Sequence, residues 1–302
     1  MIESSERLLL IGDNPFHRIS HLSQERARNR TEDLGDPKYA ANLIHTALEN
    51  GANGFTFSVS ETTIAILKEL DKLETISNVR LYPVVPYAFE YVRFAAQLGG
   101  IPGLVRRFGI DMLKSRRLGA IGYGLKGALT ADPVDLMKTY LSYEISRVRS
   151  STNKGRLDSV WLHQLITDMA LALNLDWLFK SYFDFLTSRK ITPGFNTGNF
   201  AFLAEKFDTW NIDLSKVLIA APFNRVGFQM TPSAADCEKA LMKMPKPVVI
   251  AISVLAAGFI PPKEAADYLA TLPNIKGVAL GVSKLKHATE TFEIFKKRLD
   301  SP

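Results

Sequence analysis

Short apolar, β-rich runs alternate with helix-like segments along this 302-residue chain. The segments between the runs, such as "DPKYAANLIHTALENGA" and "PKEAADYLATL", carry apolar residues at helical spacing and often begin with Asp or Ser. Continuous strands separated by helices are typical of a parallel sheet whose outer face the helices cover. The runs with strand composition are "RLLLIG" (7–12), "GFTFSV" (54–59), "VRLYPVV" (79–85), "LDSVWLH" (157–163), "ITPGFN" (191–196), "KVLIAAPFN" (216–224), "PVVIAISV" (247–254) and "GVALGVS" (277–283).

Eight such units in a chain of this length predict an α/β fold, the closed (β/α)8 TIM barrel, as a single domain over residues 1–302. An open, doubly wound sheet is the alternative. No Gly-x-Gly-x-x-Gly turn follows the first run, so the usual dinucleotide signature of the open sheet is missing. The closed barrel is therefore the favoured prediction.

Composition indicates a compartment. Cys237 is the only cysteine, so no intrachain disulfide can form, and a reducing compartment fits. The N-terminal "MIESSERLLLIGDNPF" has acidic residues where a signal peptide needs basic ones, and no run of about 18 apolar residues occurs elsewhere. We expect a cytoplasmic protein.

The positive charge is concentrated in one stretch. Between positions 80 and 130 there are eight basic residues and two acidic ones, which accounts for the formal net charge of +6. Most of this stretch falls in a predicted basic helical insertion after the third strand, residues 88–132. It could fold over the barrel mouth as a lid, or lie on an anionic membrane surface as an amphipathic element. Nucleic-acid binding is not expected, because the basic residues lack regular aromatic interleaving.

Polar residues follow almost every predicted strand. In a (β/α)8 barrel the carboxyl ends of the strands form one rim, where active sites are built. We therefore expect an enzyme or small-molecule site there. In strand order the rim residues are Asp13, Asn14 and His17; Ser58, Ser60 and Glu61; Pro86 and Tyr87; His163 and Gln164; Asn196 and Thr197; Asn224 and Arg225; Ser253; and Ser283 and Lys284.

The chemistry of these side chains suggests roles. An imidazole titrates near neutral pH and can act as acid or base, which favours His163 as a catalytic residue. Asp13 and Asn14 precede Pro15 and fit a strand-ending turn as well as a site. The further catalytic candidates are Asp13, His17, Tyr87 and Glu61, and the substrate-binding candidates are Asn14, Asn196, Asn224 and Arg225.

A phosphate site is predicted where the last helix begins. The residues of "GVSKLKHATE" place backbone N–H groups and basic side chains at a helix N-terminus, which favours a phosphate. The glycine of "LAAG" lies on the neighbouring loop, and barrels commonly bind phosphate between these two loops. The predicted cofactor-binding residues are Ser253, Gly258, Ser283, Lys284 and Lys286.

The second half of the chain resembles the aldo/keto reductases. "LDSVWLHQL" is similar to their fourth strand with its histidine at His163, "ITPGFNTGNFAFLAEKF" to the fifth strand and helix, and "VLIAAPFN" to the sixth strand. "KPVVIAISVLAAGFIPPKEAADYL" and "GVALGVSKLKHATETFEIF" resemble the last two strand–helix units. The resemblance implies a (β/α)8 barrel that binds NADP across the strand ends.

The first half departs from that family's catalytic tetrad. Thr56 stands where the family has an Asp, no Tyr precedes Glu61, and the third strand has no Lys. Only His163 remains of the four, so Tyr87 would have to replace the missing proton donor.

Three functions stay open at this stage. The favoured one is an NADP-dependent oxidoreductase that acts on a small anionic metabolite. One alternative is a metal-assisted lyase, isomerase or hydrolase of a phosphorylated substrate, with Asp13, His17, Glu61 and His163 as ligands. The other is a non-catalytic or membrane-surface-associated barrel that uses the basic insertion. Schiff-base chemistry is not expected, because no predicted strand contains an internal lysine.

Overall fold

The computed structural model describes residues 7–17, 34–73, 79–86 and 132–299. Strands and helices alternate through these ranges, as the sequence predicts. The strands are β1 (Leu8–Gly12), β2 (Gly54–Ser58), β3 (Val79–Val85), β4 (Gly155–Leu157), β5 (Ser159–Leu162), β6 (Thr192–Asn196), β7 (Leu218–Pro222), β8 (Val249–Ile252) and β9 (Ile275–Leu280). The helices are α1 (Pro37–Glu49), α2 (Glu61–Asp71), α3 (Pro133–Ser151), α4 (Gln164–Ala172), α5 (Asp176–Thr187), α6 (Phe200–Thr209), α7 (Ala234–Met242), α8 (Pro262–Thr271) and α9 (Leu285–Leu299).

All of the strand pairs are parallel, and the sheet closes on itself. β1 pairs with β2 on one side and with β9 on the other, β2 pairs with β3, and the order continues through β5, β6, β7 and β8 to β9. β4 and β5 both pair with β3, β4 along its first half and β5 along its end. They are two pieces of one barrel strand, so the molecule is the predicted (β/α)8 barrel.

The apolar residues divide between two layers. The larger core lies between the strands and the surrounding helices. The smaller one fills the inside of the barrel and is built around Tyr82 and Trp161, whose ring centroids are 5.8 Å apart. At this level, the side chains of the described strands therefore pack the barrel interior as a core.

Asp158 interrupts the fourth barrel strand between β4 and β5. Its Oδ2 accepts hydrogen bonds from Arg80 Nε at 2.5 Å and from the Tyr82 hydroxyl at 3.3 Å, and its Oδ1 accepts one from Arg156 Nε at 2.6 Å. Arg80 and Tyr82 lie on the same face of β3 because side chains alternate along a strand. A buried ion pair thus fills the barrel interior near the amino ends of its strands.

One expectation about lysine is wrong. β9 begins at Ile275, earlier than the run at 277–283 suggests, so Lys276 lies within the strand and is buried. It is the second residue of that strand and lies far from the rim at the strand's carboxyl end. Its position therefore adds nothing to the chemistry of the rim.

The predicted insertion lies almost entirely outside the described residues. The insertion at 88–132 is described only at Asp132, which caps α3 by accepting a hydrogen bond from the Val134 N–H. Within the described ranges, no helix has the length and apolar character needed to cross a membrane.

We predict that Asp158→Asn lowers the free energy of unfolding by about 3–5 kcal/mol at pH 7, because it removes a charged partner of the buried Arg80 guanidinium. Urea unfolding measures this loss. The matched control is Asp213→Asn, which breaks an exposed pair with Lys216 and should cost less than about 1 kcal/mol. A wild-type value for Asp158→Asn would contradict the proposed role of the pair.

The same variant has a pH signature. Burial raises the pKa of Asp158, but the hydrogen bonds and charges of Arg156 and Arg80 outweigh it and hold that pKa below its ordinary value. A carboxyl whose folded-state pKa is lowered stabilises the fold above its unfolded pKa of about 3.9, and this contribution is lost as the pH falls further. The acid side of the stability profile should therefore be flatter in Asp158→Asn.

We predict that Gly194→Ala is strongly destabilising, because an added Cβ would lie 1.9 Å from Cδ1 of Trp161 inside the barrel. Overpacking of this kind costs about 1–3 kcal/mol or more. Gly12→Ala is the control, since the nearest atom to its added Cβ is 3.7 Å away. Thermal unfolding followed by tryptophan fluorescence compares the two, and equal midpoints would contradict the packing described here.

Candidate active site

Asp13 and His17 form a hydrogen-bonded pair just beyond β1. Asp13 Oδ2 lies 2.9 Å from His17 Nε2 and accepts a hydrogen bond from the backbone N–H of Ser58 at 2.7 Å. The turn that follows is closed by the Phe16 N–H, which donates to the Asp13 carbonyl. Asp13 therefore ends the strand, as the turn interpretation predicts, and also orients an imidazole at the rim.

His163 ends the fourth barrel strand and caps α4. Its Nδ1 accepts a hydrogen bond from the Leu165 N–H at 3.1 Å, so the neutral ring carries its proton on Nε2. Burial lowers the pKa of His163, and the negative charge of Asp168 opposes part of that effect. The side chain is therefore a neutral hydrogen-bond donor at pH 7.

Three buried polar atoms on or just after β5 and β6 are unpaired within the described part of the chain. The buried Oδ1 atoms of Asn196 and Asn199 and the indole Nε1 of Trp161 have no hydrogen-bond partner among the described residues. Leu162 pairs with Phe195, so the next residues, His163 and Asn196, are neighbours across β5 and β6. Buried polar atoms without partners are rare in proteins. This corner of the rim is thus suited to binding a polar group.

Other predicted site residues bond elsewhere. Glu61 is exposed and forms an ion pair with Arg147 of α3 at 2.8 Å. Asn224 uses both ends of its amide on the backbone of Phe228, at 2.8 Å each, and so stabilises its own loop. Arg225 is exposed, with Glu264 at 3.7 Å. Asn14 is exposed at the start of the turn after β1.

The loops predicted to bind phosphate are open to solvent. Gly258 has a φ of +90° and no atom within 4 Å of an added Cβ, and it follows Ala256 and Ala257, which are also left-handed. Ser253 donates a hydrogen bond to Gln229 Oε1 at 2.9 Å. Ser283 and Lys284 directly precede α9, and Lys286 lies in its first turn, exposed, with Glu290 at 3.6 Å. The geometry is compatible with a phosphate at this helix start.

Thr56 takes no part in the rim chemistry. Its hydroxyl donates a hydrogen bond to the Tyr82 carbonyl at 3.1 Å, and both residues are buried. The residues of β3 nearest the rim are Val84 and Val85, which are also buried. The missing Asp and Lys of the reductase tetrad are therefore replaced by side chains that stabilise the barrel.

The residues predicted as metal ligands do not come together as a ligand set within the described ranges. No group of three or more His, Cys, Asp and Glu side chains that could hold a metal ion occurs within the described ranges. Asp13, His17, Glu61 and His163 all lie in those ranges, so they do not form such a group. Tyr87 lies outside the described residues, and its predicted role stays a prediction.

Asp168 and Asn199 belong to the candidate site and are not among the predicted site residues. Asp168 lies within α4, and its carboxylate accepts hydrogen bonds from the Thr197 hydroxyl at 2.5 Å and from the Gly198 N–H at 3.0 Å. It follows no strand, so the rim rule does not select it, and only its spacing of five residues from His163 gives a weak signal.

Comparisons with known proteins bear on the fold. No family model matches the chain, and no curated protein matches it in sequence. Among solved structures, a candidate aldo-keto reductase from Pseudomonas aeruginosa has a TM-score of 0.57 at 13% identity, over 97% of this chain and 90% of that one. An aldo-keto reductase from a Medee basin deep-sea metagenome library has a TM-score of 0.50 at 11% identity, over 85% of this chain and 81% of that one.

Identities this low establish the fold alone. The resemblance seen in the sequence is therefore confirmed at the level of architecture, and it extends over nearly the whole chain. The chain is a divergent (β/α)8 barrel with the fold of the aldo-keto reductases.

Proposed function

We propose that this protein is an NADP-dependent oxidoreductase that reduces or forms a carbonyl group on a small anionic metabolite. The observation that carries the proposal is the neutral His163 imidazole, with its proton on Nε2, on the strand next to the one that ends in Asn196, whose buried Oδ1 is unpaired among the described residues. A fold shared with aldo-keto reductases supports the same reaction class.

His163 polarises the substrate in this proposal. A neutral imidazole held by the Leu165 N–H presents its Nε2–H as a fixed donor to a carbonyl oxygen. The donor is half-buried, and a hydrogen bond in a low-dielectric site stabilises developing negative charge more than the same bond does in water. The ring need not rotate during the reaction, because its Nδ1 is already engaged.

The Asp13–His17 pair supplies the second acid–base group. The carboxylate holds the imidazole at 2.9 Å and is itself held by the Ser58 N–H. Such a pair can pass a proton to or from the substrate oxygen. It takes the place of the tyrosine that the sequence lacks at the second strand.

The chain's residues fit the cofactor at both ends of an extended dinucleotide. The unpaired amides of Asn196 and Asn199 are suited to a carboxamide, and the start of α9 with Lys284 and Lys286 is suited to phosphate. When bound, the cofactor supplies or accepts the hydride. The exposed Arg225 guanidinium at the rim is suited to an anionic substrate.

We predict saturable NADPH binding with a Kd in the micromolar range that weakens as salt rises, because phosphate recognition at an exposed helix start is electrostatic. Cofactor fluorescence follows the titration of metal-stripped protein. The double substitution Lys284→Ala and Lys286→Ala should weaken binding about tenfold or more, by the loss of two charge contacts. Lys216→Ala is the control, because Lys216 precedes β7 at the opposite end of the barrel. Absence of binding in the wild type would refute the cofactor assignment.

We predict that the His163 imidazole titrates below 6.5, its ordinary value, since burial disfavours the charged ring. The same ring should show the Nε2–H tautomer at pH 7. Nitrogen-15 NMR of labelled protein measures both properties, with His163→Gln to assign the signal. A ring that is protonated on Nδ1, or that titrates at or above 6.5, would remove the basis of the proposed role.

A further inference from the structure

Asp168 connects two elements that carry the candidate site. It lies on α4, the helix that His163 caps, while both of its bonding partners lie on the loop after β6. Its two carboxylate oxygens are used separately, one on the Thr197 hydroxyl and one on the Gly198 N–H. The carboxylate therefore fixes the loop to the helix at two points.

The loop is fixed within itself as well. Thr197 is fully buried, and its hydroxyl, which donates to Asp168, also accepts a hydrogen bond from the Asn199 N–H at 2.9 Å. The Thr197 N–H continues the sheet by donating to the Ala220 carbonyl at 3.0 Å. Movement of Asp168 would thus be passed through Thr197 to Asn199.

Gly198 lies close to side chains of α4. A Cβ at this position would lie 2.5 Å from Nε2 of Gln164 and 3.3 Å from Oδ2 of Asp168. The backbone can approach α4 so closely because no side chain intervenes. The loop backbone therefore lies close enough to α4 for the carboxylate to accept both hydrogen bonds.

The loop held in this way carries the unpaired amides. Asn196 directly precedes Thr197, and Asn199 follows Gly198, and each has a buried Oδ1 without a partner among the described residues. A binding group with no internal partner depends on its surroundings for its orientation. Asp168 is a charged group that bonds directly to this loop.

We propose that Asp168 is a positioning residue that sets the Asn196 and Asn199 amides in register with the His163 imidazole, so that both can contact one bound molecule. This inference rests on the proposed function, because it concerns the residues assigned to that site. Asp168 itself does not touch the reacting atoms.

The electrostatics agree with this geometry. Burial lowers the pKa of His163, and the Asp168 carboxylate raises it. Within the described ranges, Asp168 is the charged group whose field acts on that imidazole. One carboxylate therefore affects the site in two separable ways, through its charge and through its hydrogen bonds.

Two substitutions separate these effects. Asp168→Asn removes the charge and turns an N–H donor toward one of the two existing donors. Thr197→Val keeps the charge and removes both hydrogen bonds of the Thr197 hydroxyl, the one to Asp168 and the one from the Asn199 N–H. Thr197→Ser restores the hydroxyl and is the conservative rescue. Asp176→Asn is the matched control, since Asp176 is an exposed carboxylate on the next helix, paired with Lys180 at 2.7 Å.

NMR of the His163 ring and of the Asn196 and Asn199 side-chain amides provides readouts that need neither substrate nor cofactor. We expect Asp168→Asn to move the His163 titration to lower pH and to shift both amide signals. Thr197→Val should shift the amide signals and leave the His163 titration in place. Thr197→Ser and Asp176→Asn should match the wild type in both readouts.

The same variants are then titrated with NADPH. We expect Asp168→Asn and Thr197→Val to weaken binding about tenfold, the loss of roughly one hydrogen bond to the amides.

If wild-type protein does not bind NADPH but the NMR responses appear, the cofactor assignment fails and the role of Asp168 stands. If Asp168→Asn or Thr197→Val loses thermal stability while the amide signals stay unchanged, Asp168 is only a structural residue and the inference is wrong. If Asp168→Asn does not fold, the Asn196 and Asn199 amide signals of Thr197→Val are compared with those of Thr197→Ser. A shift in Thr197→Val that is absent in Thr197→Ser would support the inference, and equal signals would contradict it.

Discussion

The closed ring of parallel hydrogen-bonded strands determines where everything else in this molecule lies. Because all strands run in the same direction, every carboxyl end reaches one rim, and residues far apart in the chain become neighbours there. For this reason Asp13 accepts a hydrogen bond from the Ser58 N–H, and His163 and Asn196 lie on neighbouring strands. Polar side chains at the rim need not stabilise the barrel, since the two apolar layers do so.

The sequence was sufficient for the architecture, because strand order in a barrel follows chain order and each apolar run is long enough to recognise. It was insufficient where a tertiary interaction overrides the local pattern. The run at 157–163 gives no sign that Asp158 divides the strand, because the partner that makes the break stable, Arg80, lies 78 residues away. Lys276 is another example, because it is a buried residue of β9 although the apolar run at 277–283 does not include it.

The candidate site shows the same limit on what the sequence can predict. His163 and Asn196 could be predicted because each directly follows an apolar strand, and the histidine's tautomer could not, because it depends on a backbone N–H two residues later. Glu61 follows a strand as well, yet it begins a helix and forms an ion pair with a neighbouring helix. Asp168 reaches the rim from inside a helix, through contacts with Thr197 and Gly198 that its weak spacing signal from His163 does not reveal.

The packed interior of the barrel also limits how molecules reach the rim. Tyr82 and Trp161 fill the middle, and the ion pair of Arg80 and Asp158 closes the space below them. A molecule that binds beside His163 must therefore enter and leave through the same mouth. If two ligands bind at this end of the barrel, the one that lies deeper has to bind first and leave last. The filled centre of the barrel therefore imposes an order on binding and release.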